Sequence, residues 1–418
     1  MSVRFRWTAF SICVLGGAGA ARANGLVCLH WHTAKADLVD SSRPMGQRGW
    51  DVETILDVND GPGSWTFDAT KSASLAAKAA GLQVIMRIDY NATDTVPKSS
   101  SEHKQWADAF IQRTNDLAGV TTLFVVGNEP PLGGQISAAQ YVAAFNQLHA
   151  RKSEMPAGTR LLAAGPNFHC CPWVDGLTWL DDMSAALADV DGFALHTYHA
   201  PGECGPDPGT PCEKVASWPG DDGFRNYRDQ IEVTRKKWPN RPVYLTETNT
   251  DTNGLGLSPD PQDNYPDGWF PKAYADIRDY NSTTASDPAY PQVLALCWFV
   301  DRNQAPWAPF SLEAGQGKMA IARQDFIAAA HDPQNYVIPA KPDAGPRDGG
   351  GPPDAPAPDH PSTHDLGPGH EAGAYHSDAA GESDGCGCAV GHPPNSPACA
   401  LWGLMACFVV ARRARARL

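Results

Sequence analysis

The sequence is short of positive charge and has none of the cysteine or glycine signatures of the common zinc and nucleotide folds. Its 418 residues include 33 Lys and Arg against 47 Asp and Glu, so the net charge is -14. Such a chain is repelled by phosphate backbones, and we expect no nucleic-acid partner. No paired Cys-x-x-Cys motifs occur, and no Gly-x-Gly-x-x-Gly follows the first β-rich run. Neither a structural zinc site nor a dinucleotide-binding sheet is therefore indicated.

The first 23 residues have the three parts of a secretory signal peptide. Arg4 and Arg6 supply the positive charge, and Thr8–Ala20 forms a short, mostly apolar stretch. Ala21-Arg22-Ala23 then fits the small-x-small cleavage rule, which predicts a mature chain that starts near Asn24. The alternative is an ordinary buried helix. The signal peptide predicts export.

Export permits disulfide bonds, and the cysteines differ in their suitability for them. Cys204 and Cys212 bracket a loop rich in Pro and Gly, so we predict a disulfide between them. Cys28 and Cys297 lie in apolar runs. We expect these two to be small buried hydrophobic residues rather than disulfide partners.

The C-terminal part of the chain divides into a linker and a tail. Residues 339–385 are rich in Pro, Gly, Asp and His and too poor in large apolar groups to fold, so they are predicted to be a disordered linker. Residues 386–418 combine Cys386-Gly387-Cys388, the apolar run Ala398–Ala411 and an arginine-rich end. This tail resembles the sorting signal of myxobacterial surface proteins, which implies cell-surface localisation. A plain membrane anchor is the alternative, although the run is shorter than the ~20 residues of a full span.

Between residues 24 and 338, β-rich runs alternate with amphipathic segments. Seven helices are predicted at Ala69–Ala80, Glu102–Leu117, Ala138–Lys152, Trp179–Leu187, Phe224–Trp238, Lys272–Tyr280 and Ala320–Ala330. Eight strands are predicted at Leu26–Trp31, Trp50–Asp57, Leu82–Tyr90, Thr122–Gly127, Arg160–Gly165, Gly192–Tyr198, Pro242–Glu247 and Val293–Val300. This order indicates an α/β fold, a (β/α)8 TIM barrel, with an open doubly wound sheet as the alternative.

Two of the predicted strands end in a glutamate. The fourth closes with Asn128-Glu129-Pro130 and the seventh with Thr246-Glu247. Active sites in these barrels lie at the carboxyl ends of the strands, where the two side chains would face each other. Glycosidic cleavage requires such a pair of carboxyl groups. Alternatively, each glutamate is an exposed loop residue that follows a strand.

At these residues the chain resembles the clan A glycoside hydrolases, which are (β/α)8 barrels. The resemblance implies a retaining glycosidase that acts on a polysaccharide or oligosaccharide and needs no cofactor. It implies that Glu129 is the acid/base and Glu247 the nucleophile. It also implies that Asn128 binds the sugar 2-hydroxyl. A monomer is expected.

The resemblance extends to residues of the sixth and eighth strands. It implies that His196 and Tyr198 line the site, with Tyr198 orienting the nucleophile, and that Trp298 forms the floor under the sugar. A hydrogen-bonded core histidine is the alternative for His196, and barrel packing is the alternative for Trp298. The chain departs from the clan at strand two, which ends in Ile55-Leu56-Asp57 without the usual arginine. Arg87 of strand three is a candidate substitute.

Three further polar residues are predicted at strand ends. His30 and His32 share one face of the first strand by alternation. With His196 they could form a metal site, but sugar-binding roles explain them equally well, and we expect no metal. Asp89 follows Arg87 on the third strand, and the two form either a sugar subsite or a salt bridge at the rim.

Two functions outside hydrolysis remain open on the sequence. A surface-displayed barrel could bind carbohydrate or mediate adhesion without catalysis. A transglycosylase would use the same two glutamates. The sugar, its linkage and the choice between endo and exo action are not encoded in any motif of this chain.

Overall fold

The computed structural model describes residues 25–30, 49–91, 94–130, 136–166, 173–198, 224–250, 265–300, 308–313 and 317–339. Eight parallel strands form a closed barrel in which each strand pairs with the next and the eighth pairs with the first. The predicted (β/α)8 barrel is therefore confirmed. The strands are β1 Val27–His30, β2 Trp50–Ile55, β3 Gln83–Ile88, β4 Leu123–Val126, β5 Arg160–Ala164, β6 Gly192–His196, β7 Val243–Thr248 and β8 Val293–Trp298.

The strands are buried along almost their whole length, because one face fills the barrel and the other meets the helices. Their pairing sets which side chains share a level inside the barrel. In β2 and β3, Thr54 lies beside Arg87, and Arg87 in turn lies beside Val125 of β4. The inward positions near the carboxyl ends of the strands are therefore fixed by register.

Seven helices are described around the barrel, one for each prediction. They are α1 Trp65–Ala79, α2 Ser100–Asp116, α3 Ala138–His149, α4 Trp173–Ala186, α5 Asn226–Thr234, α6 Trp269–Thr283 and α7 Met319–His331. Local sequence determines where some of them begin. The hydroxyl of Ser64 accepts from the backbone of Phe67 at the start of α1. Ser137 and Gln140 form a reciprocal capping box at the start of α3.

The structure corrects the expectation for two cysteines. Cys28 and Cys297 form a disulfide bond, although 269 positions separate them in the sequence. Barrel closure is the reason, because it makes the first and last strands neighbours and places these two residues directly opposite each other. Their Cα atoms are 4.2 Å apart. The residues are fully buried, as expected, but bonded.

Several predictions fall on residues outside the described part. They are the signal peptide, the linker, the C-terminal tail, the disulfide between Cys204 and Cys212, and His32. Among the helices that are described, none is both long and apolar enough to cross a membrane.

Candidate active site

The two glutamates reach the barrel mouth from opposite strands. Glu129 follows β4 and Glu247 lies within β7, and both side chains are buried. Glu129 is the one non-glycine residue in the described segments with a positive φ, at 44°. L residues seldom adopt that conformation, and such strain is concentrated at functional sites. The preceding turn passes through Gly127, with φ 77°, where a Cβ would lie 3.0 Å from the Thr95 carbonyl oxygen.

The carboxyl groups of Glu129 and Glu247 lie close together, with a histidine between them. One oxygen of each glutamate and a ring nitrogen of His196 all lie within 4.8 Å of one another. Nδ1 of His196 is 2.5 Å from Oε1 of Glu129 and 3.5 Å from Oε2 of Glu247. Two buried carboxyl groups thus share one basic group.

Glu247 is held by hydrogen bonds from both sides. Tyr198 donates its hydroxyl to Oε2, and Arg87 donates Nη1 to Oε1. Nε2 of His30 lies 3.4 Å from Oε1. Burial alone would raise the pKa of Glu247. The positive charges of His196 and Arg87, together with His30, outweigh it and hold the pKa well below its usual value. Glu247 is therefore ionised at neutral pH.

Arg87 supplies the positive charge that β2 lacks. The β2 residue at its level is Thr54, and Arg87 reaches over from β3 to Glu247. The same Nη1 atom donates to Oδ1 of Asn128 at 2.8 Å. The Arg87 guanidinium thus binds both Glu247 and Asn128. Although β2 has no arginine near its carboxyl end, Glu247 still has an arginine partner.

His196 links the two glutamates electrostatically. Burial alone would lower the pKa of His196, but the charges of Glu247 and Glu129 outweigh it, and the pKa is raised. The helix behind β6 positions the strand end, because Gln230 of α5 donates to the His196 carbonyl at 2.8 Å. His196 is accordingly a proton-carrying group within reach of both carboxylates.

Trp298 does not join this group, which corrects the prediction that it forms the floor of the sugar site. Its ring is fully buried outside the strands, 4.8 Å from the Phe270 ring and 5.8 Å from the Trp269 ring of α6. Its indole nitrogen donates to the Phe310 carbonyl at 2.9 Å. The barrel-packing alternative describes it correctly.

The aromatic residue that adjoins the site is Phe299, which directly follows β8. Its ring meets His30 edge to face, with centroids 5.0 Å apart, and His30 contacts Glu247. The sequence did carry a signal for it, because strand alternation puts Phe299 and Trp298 on opposite faces. The sequence did not show which of the two residues faces the interior of the barrel.

The glutamates and His196 are also the described residues best placed to hold a metal ion. Nδ1 of His196 and Oε1 of Glu129 are 2.5 Å apart. That contact is a charge-assisted hydrogen bond. His30 and His196 both lie beside Glu247, with Nε2 of His30 3.4 Å from its Oε1 atom and Nδ1 of His196 3.5 Å from its Oε2 atom.

No protein-family model and no curated protein sequence matches this chain. The chain is similar in structure to several solved glycosidases. One is a GH5_18 protein of Streptomyces cattleya in complex with Manβ1-4GlcNAc, with 15% identity, 74% of this chain and 77% of that chain covered, and a TM-score of 0.46. Another is an endo-β-1,4-mannanase of Cellulomonas fimi, with 15% identity, 77% and 76% covered, and a TM-score of 0.45. A third is the β-glycosidase BGL167, with 12% identity, 72% and 86% covered, and a TM-score of 0.49. At this level, the likeness adds nothing to what the barrel itself shows.

Proposed function

We propose that the protein is a retaining glycoside hydrolase of the clan A type that cleaves O-glycosidic bonds of a polysaccharide or oligosaccharide. The observation that carries this proposal is the pair of buried carboxyl groups with oxygens within 4.8 Å of each other. Retaining enzymes hold their two carboxyl groups ~5 Å apart, and inverting enzymes need room for a water between them.

Glu247 is the nucleophile in this proposal. Its depressed pKa keeps it ionised, and the bonds from Tyr198 and Arg87 orient its oxygens. It attacks the anomeric carbon and forms a covalent glycosyl-enzyme as the bond to the leaving oxygen breaks. Asn128, held by Arg87, is placed to bind the 2-hydroxyl of the same sugar.

Glu129 is the acid/base. It gives its proton to the leaving oxygen in the first step and takes a proton from the attacking water in the second. His196 supports both steps, because its Nδ1 lies 2.5 Å from Oε1 of Glu129 and can exchange a proton with it. Water then releases the sugar from Glu247 with its original anomeric configuration.

The location of this activity is part of the proposal. The signal peptide, the linker and the C-terminal tail seen in the sequence would export the barrel and display it at the cell surface. An extracellular glycan is then the substrate, and the membrane contact is made through the tail rather than the barrel.

The decisive experiment compares Glu129→Gln and Glu247→Gln with the wild type on a panel of polysaccharides and 4-nitrophenyl glycosides. Both variants are expected to lose at least about 10³-fold in kcat/KM on polysaccharide. Glu129→Gln should lose less on 4-nitrophenyl glycosides, because nitrophenolate leaves without an acid. Glu232→Gln, on the exposed face of α5, is the matched control and keeps full activity.

The stereochemistry is read by proton NMR of the first product. A product with the substrate's anomeric configuration supports double displacement, and an inverted product rules it out. Equal activity of the wild type and both variants would overturn the hydrolase. Glycan binding without new reducing ends would instead favour the non-catalytic carbohydrate-binding protein, and sugar transfer to added acceptors would favour a transglycosylase.

A further inference from the structure

Asp89 is a buried acid at the mouth of the barrel that the mechanism does not use. It follows β3, and its backbone continues the ladder, with its N–H donating to Ile55 and its carbonyl accepting from Val58. Because side chains alternate along a strand, Asp89 faces the same side as Arg87, two residues earlier. Arg87 points to Glu247, so Asp89 faces the cleft as well.

One oxygen of the Asp89 carboxyl group, Oδ1, lacks the partner that a buried acid normally has among the described residues. The residue is 6% exposed, and its Oδ1 atom has no hydrogen-bond donor among the residues that the structure describes. Buried carboxyl groups are nearly always paired or hydrogen-bonded, because their desolvation is otherwise uncompensated. An unsatisfied carboxyl oxygen that faces a cleft is available to accept a hydrogen bond from a ligand.

The charges of the two glutamates act on the carboxyl group of Asp89. Burial raises the pKa of Asp89 to about 7, and although Arg87 lowers it, the charges of Glu247 and Glu129 raise it further. Asp89 is therefore close enough for the charges of both glutamates to act on it. It forms no ion pair with Arg87 within 4.0 Å in the described structure. Within the described residues, no donor competes for its Oδ1 atom.

We propose that Asp89 is a sugar-recognition residue, whose Oδ1 accepts a hydrogen bond from a hydroxyl of the glycosyl unit that Glu247 attacks. This inference rests on the proposed function for the identity of that unit. Arg87 and Asp89 are two residues apart on the same face of the strand, which separates them by about 6.6 Å along a parallel strand. This distance is comparable to the span of a pyranose with its hydroxyls. Asn128 and Glu247 are anchored at the Arg87 level. The hydroxyl at Asp89 is therefore one other than the 2-hydroxyl.

This placement makes Asp89 a determinant of specificity. A buried acceptor that is satisfied only by a substrate hydroxyl penalises sugars that lack the hydroxyl or carry it in the other orientation. The protein should accept neutral, fully hydroxylated pyranoses there. It should reject sugars with a carboxylate at the same position, because two acids would then face each other.

The binding test uses Glu247→Gln, which cannot turn over substrate, and cellohexaose, mannohexaose, xylohexaose and maltohexaose as probes. Adding Asp89→Ala should weaken the binding of the preferred hexaose at least about tenfold by titration calorimetry. Adding Asp89→Asn should weaken it less, because the amide keeps an acceptor oxygen. Adding Asp279→Ala, on the exposed face of α6, is the matched control and leaves the Kd unchanged. Equal Kd values with and without Asp89→Ala would overturn the proposal.

A second readout separates recognition from a structural effect. The wild type should hydrolyse one monodeoxy analogue of its preferred 4-nitrophenyl glycoside more slowly than the parent glycoside. Asp89→Ala should lose that difference, while its relative rates on the other monodeoxy analogues stay those of the wild type. Uniform losses at every position would overturn the proposal. If the wild type shows no hydrolysis, but the binding of a hexaose depends on Asp89, then the hydrolase fails while Asp89 remains a sugar-recognition residue. If the wild type hydrolyses and Asp89→Ala matches it, only this inference fails.

Discussion

Nδ1 of His196 and Oε1 of Glu129 are 2.5 Å apart, and the same nitrogen lies 3.5 Å from Oε2 of Glu247. The histidine is therefore the one group in the described site that contacts both carboxylates directly. Its charge state affects both carboxyl groups together, so a proton on His196 stabilises Glu247 as an anion and can be passed to Glu129.

Replacing His196 should therefore impair both steps. His196→Phe removes the shared proton and the positive charge, and kcat/KM should fall about 10²- to 10⁴-fold, the range for loss of a proton-transfer group. The measurement is steady-state hydrolysis of the preferred 4-nitrophenyl glycoside. His149→Phe, on the last turn of α3, is the control. An effect confined to KM would contradict the role, because it would make His196 a binding residue only.

Arg87→Met should shift the acid limb of the pH profile. The Arg87 charge is one of the groups that hold the pKa of Glu247 low. Without it the pKa of Glu247 rises, so the nucleophile becomes protonated at a higher pH and kcat/KM begins to fall at a higher pH on acidification. Activity profiles of the wild type, Arg87→Met and Arg87→Lys test this. A limb that stays in place in Arg87→Met would show that Arg87 does not act through Glu247.

Asp89→Asn should stabilise the protein at alkaline pH. The pKa of Asp89 is about 7 in the folded protein and about 3.8 when exposed, so between these values the folded state holds the proton more tightly. Stability is therefore lost as pH rises through that window, and the loss is complete above about pH 7. The cost reaches up to about 4 kcal/mol there, at 1.36 kcal/mol for each pKa unit.

Denaturant unfolding of the wild type and Asp89→Asn near pH 8 and near pH 4 measures this difference. The variant should be more stable near pH 8 and nearly equal near pH 4. A gain of the same size at both values would show that the amide stabilises by packing or hydrogen bonding rather than by removing an ionised acid.

Substitutions of Trp298, the last residue of β8, and of Phe299, which follows it, should have opposite effects on stability and activity. Trp298→Ala opens a cavity between the barrel and α6 and should cost about 3–5 kcal/mol of unfolding free energy. Phe299→Ala removes a ring beside His30 at the site and should lower activity more than stability. Unfolding and activity measured on both variants check the contrast. Loss of activity in a fully stable Trp298→Ala would return that residue to the sugar site.

Cys28→Ala/Cys297→Ala should fold to an active but less stable barrel. Removing a bond that closes so long a loop is expected to cost about 2–5 kcal/mol, because the unfolded chain regains freedom. Thermal unfolding of the oxidised wild type, the reduced wild type and the double variant measures the cost. Equal stability of the oxidised and reduced wild type would show that the bond contributes nothing.

The sequence predicted the barrel and its catalytic edge because these depend on local patterns. Apolar runs of four to six residues mark buried strands, and a glutamate directly after such a run must lie at the carboxyl end. The positions of Glu129 and Glu247 follow from that argument, whereas the places of His196 and Tyr198 in the site were implied by the resemblance to the clan A glycoside hydrolases.

The features that the sequence did not predict correctly depend on the register and orientation of the strands, which no local sequence pattern encodes. Cys28 and Cys297 become neighbours only when the barrel closes, and their pairing needs the exact alignment of β1 and β8. Trp298 and Phe299 differ by one position, and a one-residue phase error exchanges the two faces of a strand. The contact of Arg87 with Glu247 spans the barrel, so only the folded structure displays it.

The bond between Cys28 and Cys297 also turns the barrel into a covalent ring. A single cut by a protease in any loop between these residues opens the ring but leaves both pieces joined, with all eight strands still attached. After one cut between Cys28 and Cys297, either a second cut in that region or reduction of the disulfide is required before a fragment separates. A first cut in this region therefore breaks the continuity of the chain without releasing any strand.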